Sequence, residues 1–340
     1  MQLTFCGANR EVTGSCYHIR TPHSQVVLDC GMFQGGKFAE DKNFHPFPFD
    51  PKEIDALVLT HAHFDHNGRI PKLYKEGFRG SIYCTTPTAE LSMLNLRDAA
   101  HLMADEAERH QHDPLYTDQE VEALEKLWRP VSYHREQEVA PGVRVYLTDA
   151  GHILGSASVR LEAEGKAIAF SGDLGNTPVP LLHSTECLNG AEVVVIESTY
   201  GNRIHEPHTE RYSILTDAIR QTVQSKGTLL IPAFALERTQ ELLYELHHLI
   251  ITGQVPRIPI YLDSPLAIAA TEVFQEHYDY FNAEARKAIE QGQELFRFPG
   301  LHFTQTSTES KAILDAHGPK IIIAGSGMMN GGRILHHLKN

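Results

Sequence analysis

The sequence has no CysXXCys pair, no apolar run near the roughly 18 residues a membrane-spanning helix needs, and no basic stretch leading into a long apolar core at its start. Its cysteines, Cys6, Cys16, Cys30, Cys84 and Cys187, are odd in number and widely scattered. That pattern argues against a disulfide framework and a thiolate zinc site, and predicts reduced core thiols in a cytoplasmic protein. Low-complexity linkers and internal repeats are absent as well. Positive charge is scarce, with 30 Lys and Arg against 43 Asp and Glu, a net charge of −13. Such a balance ordinarily disfavours a nucleic-acid partner, because phosphate binding depends on basic side chains. The veto is weak here, since two bound divalent ions would add about four positive charges in the cleft that matters. The remaining composition, 41% hydrophobic and 21% charged over 340 residues, is that of a globular chain long enough for about two domains.

Histidine is plentiful, at 21 residues, and it clusters. In ValLeuThrHisAlaHisPheAspHisAsnGly, 58–68, an apolar strand runs into His61, His63, Asp65 and His66. Side chains alternate along a strand, so His61 and His63 are expected to project together while the following turn brings Asp65 and His66 alongside. Imidazole and carboxylate without thiolate favour zinc or a similar first-row ion, and the geometry suits two metals rather than one. A surface histidine cluster is the plainer alternative, and it fits a lone histidine better than this string. His101, His110, His112 and His134 fall on polar helical stretches and read as structural or solvated.

Short strands are expected at 2–6, 16–20, 25–29, 81–84, 143–148, 158–162, 167–171 and 193–197, with helices at 69–77, 87–110 and 118–128, the last capped by Asp118. After Gly201 the texture becomes an alternation. Helices at 209–224, 237–251 and 266–280 are interleaved with strands at 228–231, 258–262, 301–304 and 320–324, which predicts a parallel sheet with crossover helices.

The histidine string, with AspAlaGlyHisIleLeuGlySer around His152 and PheSerGlyAspLeuGly around Asp173, resembles the metallo-β-lactamase superfamily. CysGlyAlaAsnArgGluValThrGlySerCys (6–16), GluSerThrTyrGlyAsnArg from Glu197, ProAlaPheAlaLeuGluArgThrGln from Pro232, AspSerProLeuAla from Asp263 and GlySerGlyMetMetAsnGlyGlyArg from Gly325 resemble its β-CASP branch of RNA-processing nucleases. The resemblance implies an α/β chain: a metallo-β-lactamase αββα sandwich at 1–200 and an inserted parallel-sheet β-CASP domain at 201–340. It further implies a ribonuclease that cleaves single-stranded RNA with a metal-activated hydroxide and two divalent ions, zinc by preference. His61, His63 and His152 would hold one ion and Asp65 and His66 the other, with Asp173 bridging. Asp65 and Glu197 would be catalytic, Glu197 by orienting a histidine that acts as general acid, and Asp29 would support the ligands from behind. Asp29 also reads as a turn aspartate before Gly31, and Glu197 as a solvated strand end.

The glycine-rich loop offers backbone N–H groups before a helix, so Ser326, Gly327 and Arg333 are candidates for phosphate contact; an ordinary strand-to-helix turn is the alternative. No membrane partner is expected, and a homodimer is compatible with the sequence. Two other activities stay open: a hydrolase of small esters, thioesters or lactams, and a non-catalytic RNA-binding subunit. Finally, the family's return segment normally brings two more histidines. The sequence ends in HisHisLeuLysAsn soon after the loop, and His336 and His337 resemble the family's ordinary helix residues rather than that pair, so the reading expects a C-terminally truncated chain with a weaker second metal and an exposed apolar edge.

Overall fold

The computed structural model describes residues 1–111, 113–204 and 210–340, so the reading of His112 and the helix start at Thr209 lie outside the described residues. The chain divides into two compact units, residues 1–177 with 184–201 and residues 178–183 with 202–340.

In the first unit, β1 (Gln2–Phe5), β2 (Tyr17–Arg20), β3 (Gln25–Leu28), β4 (Ala56–Val58), β5 (Ser81–Cys84) and β6 (Trp128–Pro130) form one sheet in chain order. The first two pairings are antiparallel and the rest parallel. Helices α1 (Lys37–Asp41), α2 (Phe64–Asn67), α3 (Ile70–Lys75), α4 (Thr86–His110) and α5 (Asp118–Ala123) lie in its connections. The second sheet orders β11 (Val193–Val195), β10 (Lys166–Phe170), β9 (Ala157–Ala163), β8 (Val143–Asp149) and β7 (Glu136–Ala140).

Alternation explains the layering. Val143, Val145 and Leu147 of β8 point inward and are buried, while Arg144 and Tyr146 face out. The inward set packs on Ile19, Val26, Leu28 and Val58 of the first sheet. That sheet's other face, with Val27, Leu57 and Ile82, packs on Ile70 and Leu73 of α3 and Met93 and Leu96 of α4. Ala56, Leu57 and Val58 are wholly buried on both faces, so β4 is a rigid base for the histidines that follow. β11 forms an edge of the second sheet, and Val193, Val194 and Ile196 are exposed there.

In this unit three expectations are corrected. α5 is capped by Thr117 in a capping box with Glu120, and Asp118 sits in the first turn, where its charge suits the helix dipole. The helix expected over 118–128 ends at Ala123, because Trp128 pairs with Ile82 to open β6 and edge pairing overrides helical spacing. Cys187 is exposed rather than core, while Cys16, Cys30 and Cys84 are buried.

In the second unit, α6 (Arg211–Ser225), β12 (Thr228–Pro232), α7 (Arg238–Ile251), β13 (Ile260–Asp263), α8 (Pro265–Glu276), α9 (Ala283–Glu290), β14 (Leu301–Phe303), α10 (Ser307–Ala312), β15 (Lys320–Ala324) and α11 (Ile334–Lys339) follow in turn. All strand pairs are parallel in the order β12-β15-β13-β14. The sheet therefore gathers the loops after Pro232, Asp263, Phe303 and Ala324 at its carboxyl edge, where open α/β sheets usually bind ligands. The helix expected over 266–280 stops at Glu276 and tightens into a short turn at Tyr278–Tyr280. Residues 178–183 join this unit through the Asn282 N–H, which donates to Leu181 O at 2.9 Å, and through a bridge between Leu182 and Phe281. Among the described residues no helix is long and apolar enough to cross a membrane.

Candidate metal centre

Beyond β4 the chain keeps its direction for two residues, with the Leu59 N–H donating to Tyr83 O at 2.9 Å and the Thr60 N–H to Asp29 Oδ1 at 2.8 Å. His61 is thereby fixed in the core, fully buried. His63 adopts extended backbone at the N-cap of α2, and that single turn of helix carries Asp65 and His66.

The ring nitrogens converge. His63 Nδ1 lies 3.1 Å from His61 Nε2 and 3.0 Å from His152 Nε2. One ligand atom from each of His61, His63, His152 and Asp173 falls within 4.8 Å of all the others. Tetrahedral zinc with nitrogen bonds of 2.0–2.1 Å needs ligand separations of roughly 3.3 Å, so these residues fit a divalent ion. Asp173 faces two ways. Its Oδ2 is 3.8 Å from His61 Nε2 and 3.5 Å from His152 Nε2, while its Oδ1 is 3.2 Å from His66 Nε2. Asp65 Oδ2 stands 3.9 Å from the same His66 nitrogen.

The supports are local and specific. His66 Nδ1 donates to Asp29 Oδ2 at 2.7 Å, which leaves Nε2 turned toward Asp173. Asp29 is itself held by the Thr60 backbone and hydroxyl and by Ser15 Oγ at 3.3 Å. The loop after β8 presents His152 through its N–H, which donates to Ser156 Oγ at 3.0 Å. Gly175 lets the Asp173 turn press against that loop: a Cβ there would lie 1.7 Å from Gly151 O, and its N–H donates to Ala150 O at 2.9 Å. Glu197 accepts from the Leu174 N–H at 2.8 Å, beside Asp173, and its own N–H donates to Ser171 Oγ at 3.0 Å. Thr60, Ser15 and Ser156 are site residues that sequence reasoning does not single out. Each lies inside a stretch that the sequence offered, Ser15 in 6–16, Thr60 in 58–68 and Ser156 at the end of AspAlaGlyHisIleLeuGlySer, but a hydroxyl there has no role until a carboxylate or a loop is placed against it.

Burial drives the imidazoles neutral. Desolvation lowers His61 well below its ordinary value and lowers His63, and burial with the neighbouring His63 takes His152 down to about 3. Neutral rings are what metal ligation requires. His66 goes the other way: burial opposes its charge, but Asp29 and Asp173 overcome that and raise it well above the usual range. For Asp173, burial likewise opposes ionisation, and the hydrogen bond and charge of His66, aided by His61 and His152, hold it well below the carboxylate range. A cavity of about 300 Å³ opens beside His66 and Asp173 and is lined further by Ser15, Tyr17, Arg10 and Glu197.

The other candidate side chains have partners of their own. His101 stands 3.4 Å from Asp118, and His134 Nε2 is 2.7 Å from Glu186, both on the surface. Ser326, Gly327 and Arg333 belong to the second unit. Arg333 is already engaged: it donates to Asp263 Oδ1 at 2.7 Å, Thr304 O at 3.0 Å and Gln305 O at 2.6 Å. Ser326 Oγ donates to Asn330 Oδ1 at 2.7 Å. His337 is buried against Asp263 Oδ2 at 2.7 Å, and so is a helix residue with a structural partner.

Residues 9–233 match the profile of the Metallo-beta-lactamase superfamily, and residues 239–340 that of the Beta-Casp domain. The chain is 41% identical to Ribonuclease TTHA0252 of Thermus thermophilus, an alignment covering 100% of this chain and 76% of the relative. It is 31% identical to an RNase J-like protein of Methanocaldococcus jannaschii, over 99% of this chain and 74% of the relative. It is also 32% identical to Transcription termination factor FttA of Methanosarcina mazei, of which it spans 54%. A protein of unknown function from Enterococcus faecalis V583 shares the fold, with a TM-score of 0.51 at 12% identity over 95% of this chain and 77% of the other.

Proposed function

The chain belongs to the metallo-β-lactamase superfamily and carries a β-CASP domain, and from that membership we propose that it is a metal-dependent ribonuclease acting on single-stranded RNA. The observation that carries the reading is the meeting of three imidazole nitrogens with a carboxylate whose second oxygen faces His66. A donor set of imidazole and carboxylate without thiolate suits zinc. His61, His63 and His152 would hold one ion, and Asp65 and His66 a second, with Asp173 shared. Bound there, the ions would lower the pKa of a water and stabilise charge developing on a phosphoryl oxygen. The chain's own contribution is orientation. Asp29 fixes which His66 nitrogen points into the site, and Gly175 and Glu197 hold the Asp173 turn against the His152 loop. The working compartment on this reading is the cytoplasm.

Two experiments test it. Metal-loaded protein should cut single-stranded RNA oligonucleotides, lose the activity to a chelator, and lose it in His63→Ala. Identical products from the unaltered protein and His63→Ala, or turnover of a chromogenic ester or lactam without RNA cleavage, would overturn the assignment. Zinc titration tests the count. A tighter site made of three histidines and a looser one made of Asp65, His66 and Asp173 are expected, and two equally tight sites would contradict the ligand ranking.

A further inference from the structure

Phe234 stands at the carboxyl edge of the second unit's sheet with 52% of its surface exposed, between buried Ala233 and the buried Leu236. A lone exposed aromatic ring means little by itself. What sets this one apart is how firmly it is presented. Its backbone is pinned on both sides, with the Ala233 N–H donating to Ala324 O at 3.1 Å, Thr239 Oγ1 to Phe234 O at 2.7 Å and Gln240 Nε2 to Ala235 O at 3.1 Å. Pro232 pairs with Ala324 at the ends of β12 and β15, so the loops that follow leave the sheet side by side. One of them brings Gly327 directly onto the ring. A Cβ at Gly327 would lie 2.8, 2.9 and 3.0 Å from Phe234 Cδ2, Cε2 and Cγ, so only a glycine lets the main chain lie against that ring.

The ring is thus propped by backbone on one side and open on the other, its position fixed before any ligand arrives. Next to it, the N–H groups of Gly327 and Met328 donate to no acceptor among the described residues. Met328 is 70% exposed and adds polarizable surface at the rim. A flat apolar face of one-ring size beside unspent N–H donors matches a nucleotide, in which a base and a phosphate are joined at short range. The loop itself is braced from behind, because Arg333 at its end is locked to Asp263.

We infer that Phe234 is a stacking platform for one base of the RNA, with the Gly327 and Met328 N–H groups receiving an adjoining phosphate oxygen. The inference rests on the ribonuclease reading above and adds a positioning residue to it. Stacking is indifferent to base identity, so this contact would hold the strand without imposing a sequence.

The test is equilibrium binding of short single-stranded RNA carrying 2-aminopurine, together with cleavage of the same RNA, using the full chain. Phe234→Ala should weaken binding roughly 5- to 150-fold, the range for losing one base–aromatic stack, and abolish any quenching that depends on the ring. Phe234→Tyr should bind like the unaltered protein. Phe234→Leu should behave like Phe234→Ala, because it keeps apolar area but not a π-face. Gly327→Ala, which keeps the phenylalanine but pushes its ring aside, should also weaken binding. Unchanged affinity in Phe234→Ala and Phe234→Leu, while the unaltered protein binds and cuts RNA, overturns the platform and leaves the ribonuclease reading intact. Failure of the unaltered protein to bind or cut any RNA overturns both. A melting curve that matches the unaltered protein establishes that each variant is folded.

Discussion

Each unit sets a carboxylate against histidine, and the two clusters are opposites. Asp263 in the second unit is fully buried and saturated: Thr304 and Arg333 donate to Oδ1, and Ser310 and His337 to Oδ2, all at 2.6–2.7 Å. Every lone pair that matters has a proton opposite it. In the first unit, Asp173 meets one charged imidazole, His66, while His61, His63 and His152 are driven neutral by burial and aim nitrogens at one another. Acceptors there outnumber protons, which leaves room for a cation. The same residue types make a strut in one place and a site in the other, and the count of donors against acceptors distinguishes them.

The strut should fail by unfolding. Asp263→Ala strands a buried histidine and a guanidinium, and removing one partner of a buried ion pair costs about 3–5 kcal/mol. The expected result is an earlier denaturant transition in the second unit with metal content unchanged. A variant as stable as the unaltered protein would deny Asp263 its structural role.

The site should fail by losing metal and activity instead. His152→Ala removes one of the proposed ligands, so metal affinity and RNA cleavage should fall by more than the roughly 100-fold that marks the upper end for supporting residues. The thermal midpoint of the metal-free protein should not drop, because the ring is partly exposed and its Nε2 meets only another imidazole nitrogen, 3.0 Å away. A marked loss of metal-free stability would make His152 a strut like Asp263. Asp29→Asn probes the layer behind. It can no longer accept fully from His66 and Thr60, and about 10- to 100-fold in metal affinity or activity is expected, measured by the same titration.

How much of this contrast was legible follows from distance along the chain. His61, His63, Asp65 and His66 announce themselves because six consecutive residues carry them all, in the short segment past β4 and the single turn of α2, so chain proximity alone brings them together. The parallel sheet of the second unit was equally legible from alternating helices and strands. Arg333 shows the limit. A glycine-rich loop before a helix reads as a phosphate site with Arg333 as its charge, yet Asp263 lies 70 residues earlier and reaches it only because β13 and β15 pair. Thr60 and Ser15 were hidden for a different reason: a hydroxyl has no signature until the fold places a carboxylate against it. β7 was missed because three of its residues, Glu136, Gln137 and Glu138, are exposed and polar and carry no apolar alternation.

The smallest expected effect comes from removing one proton from the saturated cluster. Burial opposes ionisation of Asp263, but the hydrogen bonds from His337, Ser310, Thr304 and Arg333 prevail and hold its carboxyl well below the ordinary value of 3.8. A carboxylate whose folded pKa is depressed adds stability that is present above its unfolded pKa and is lost as pH falls through the folded one. Ser310→Ala deletes the 2.6 Å donor to Oδ2 and should cost about 1.5 kcal/mol at neutral pH, the low end for a hydrogen bond to a charged group. It should also move the folded pKa up toward 3.8, so that acid unfolding of the second unit begins at higher pH than in the unaltered protein. Acid titration followed by circular dichroism measures this. If the acid midpoint of Ser310→Ala stays where it was while neutral stability falls, the Ser310 bond is a packing contact rather than a charge-stabilising one, and the donor count behind the comparison would be one too high.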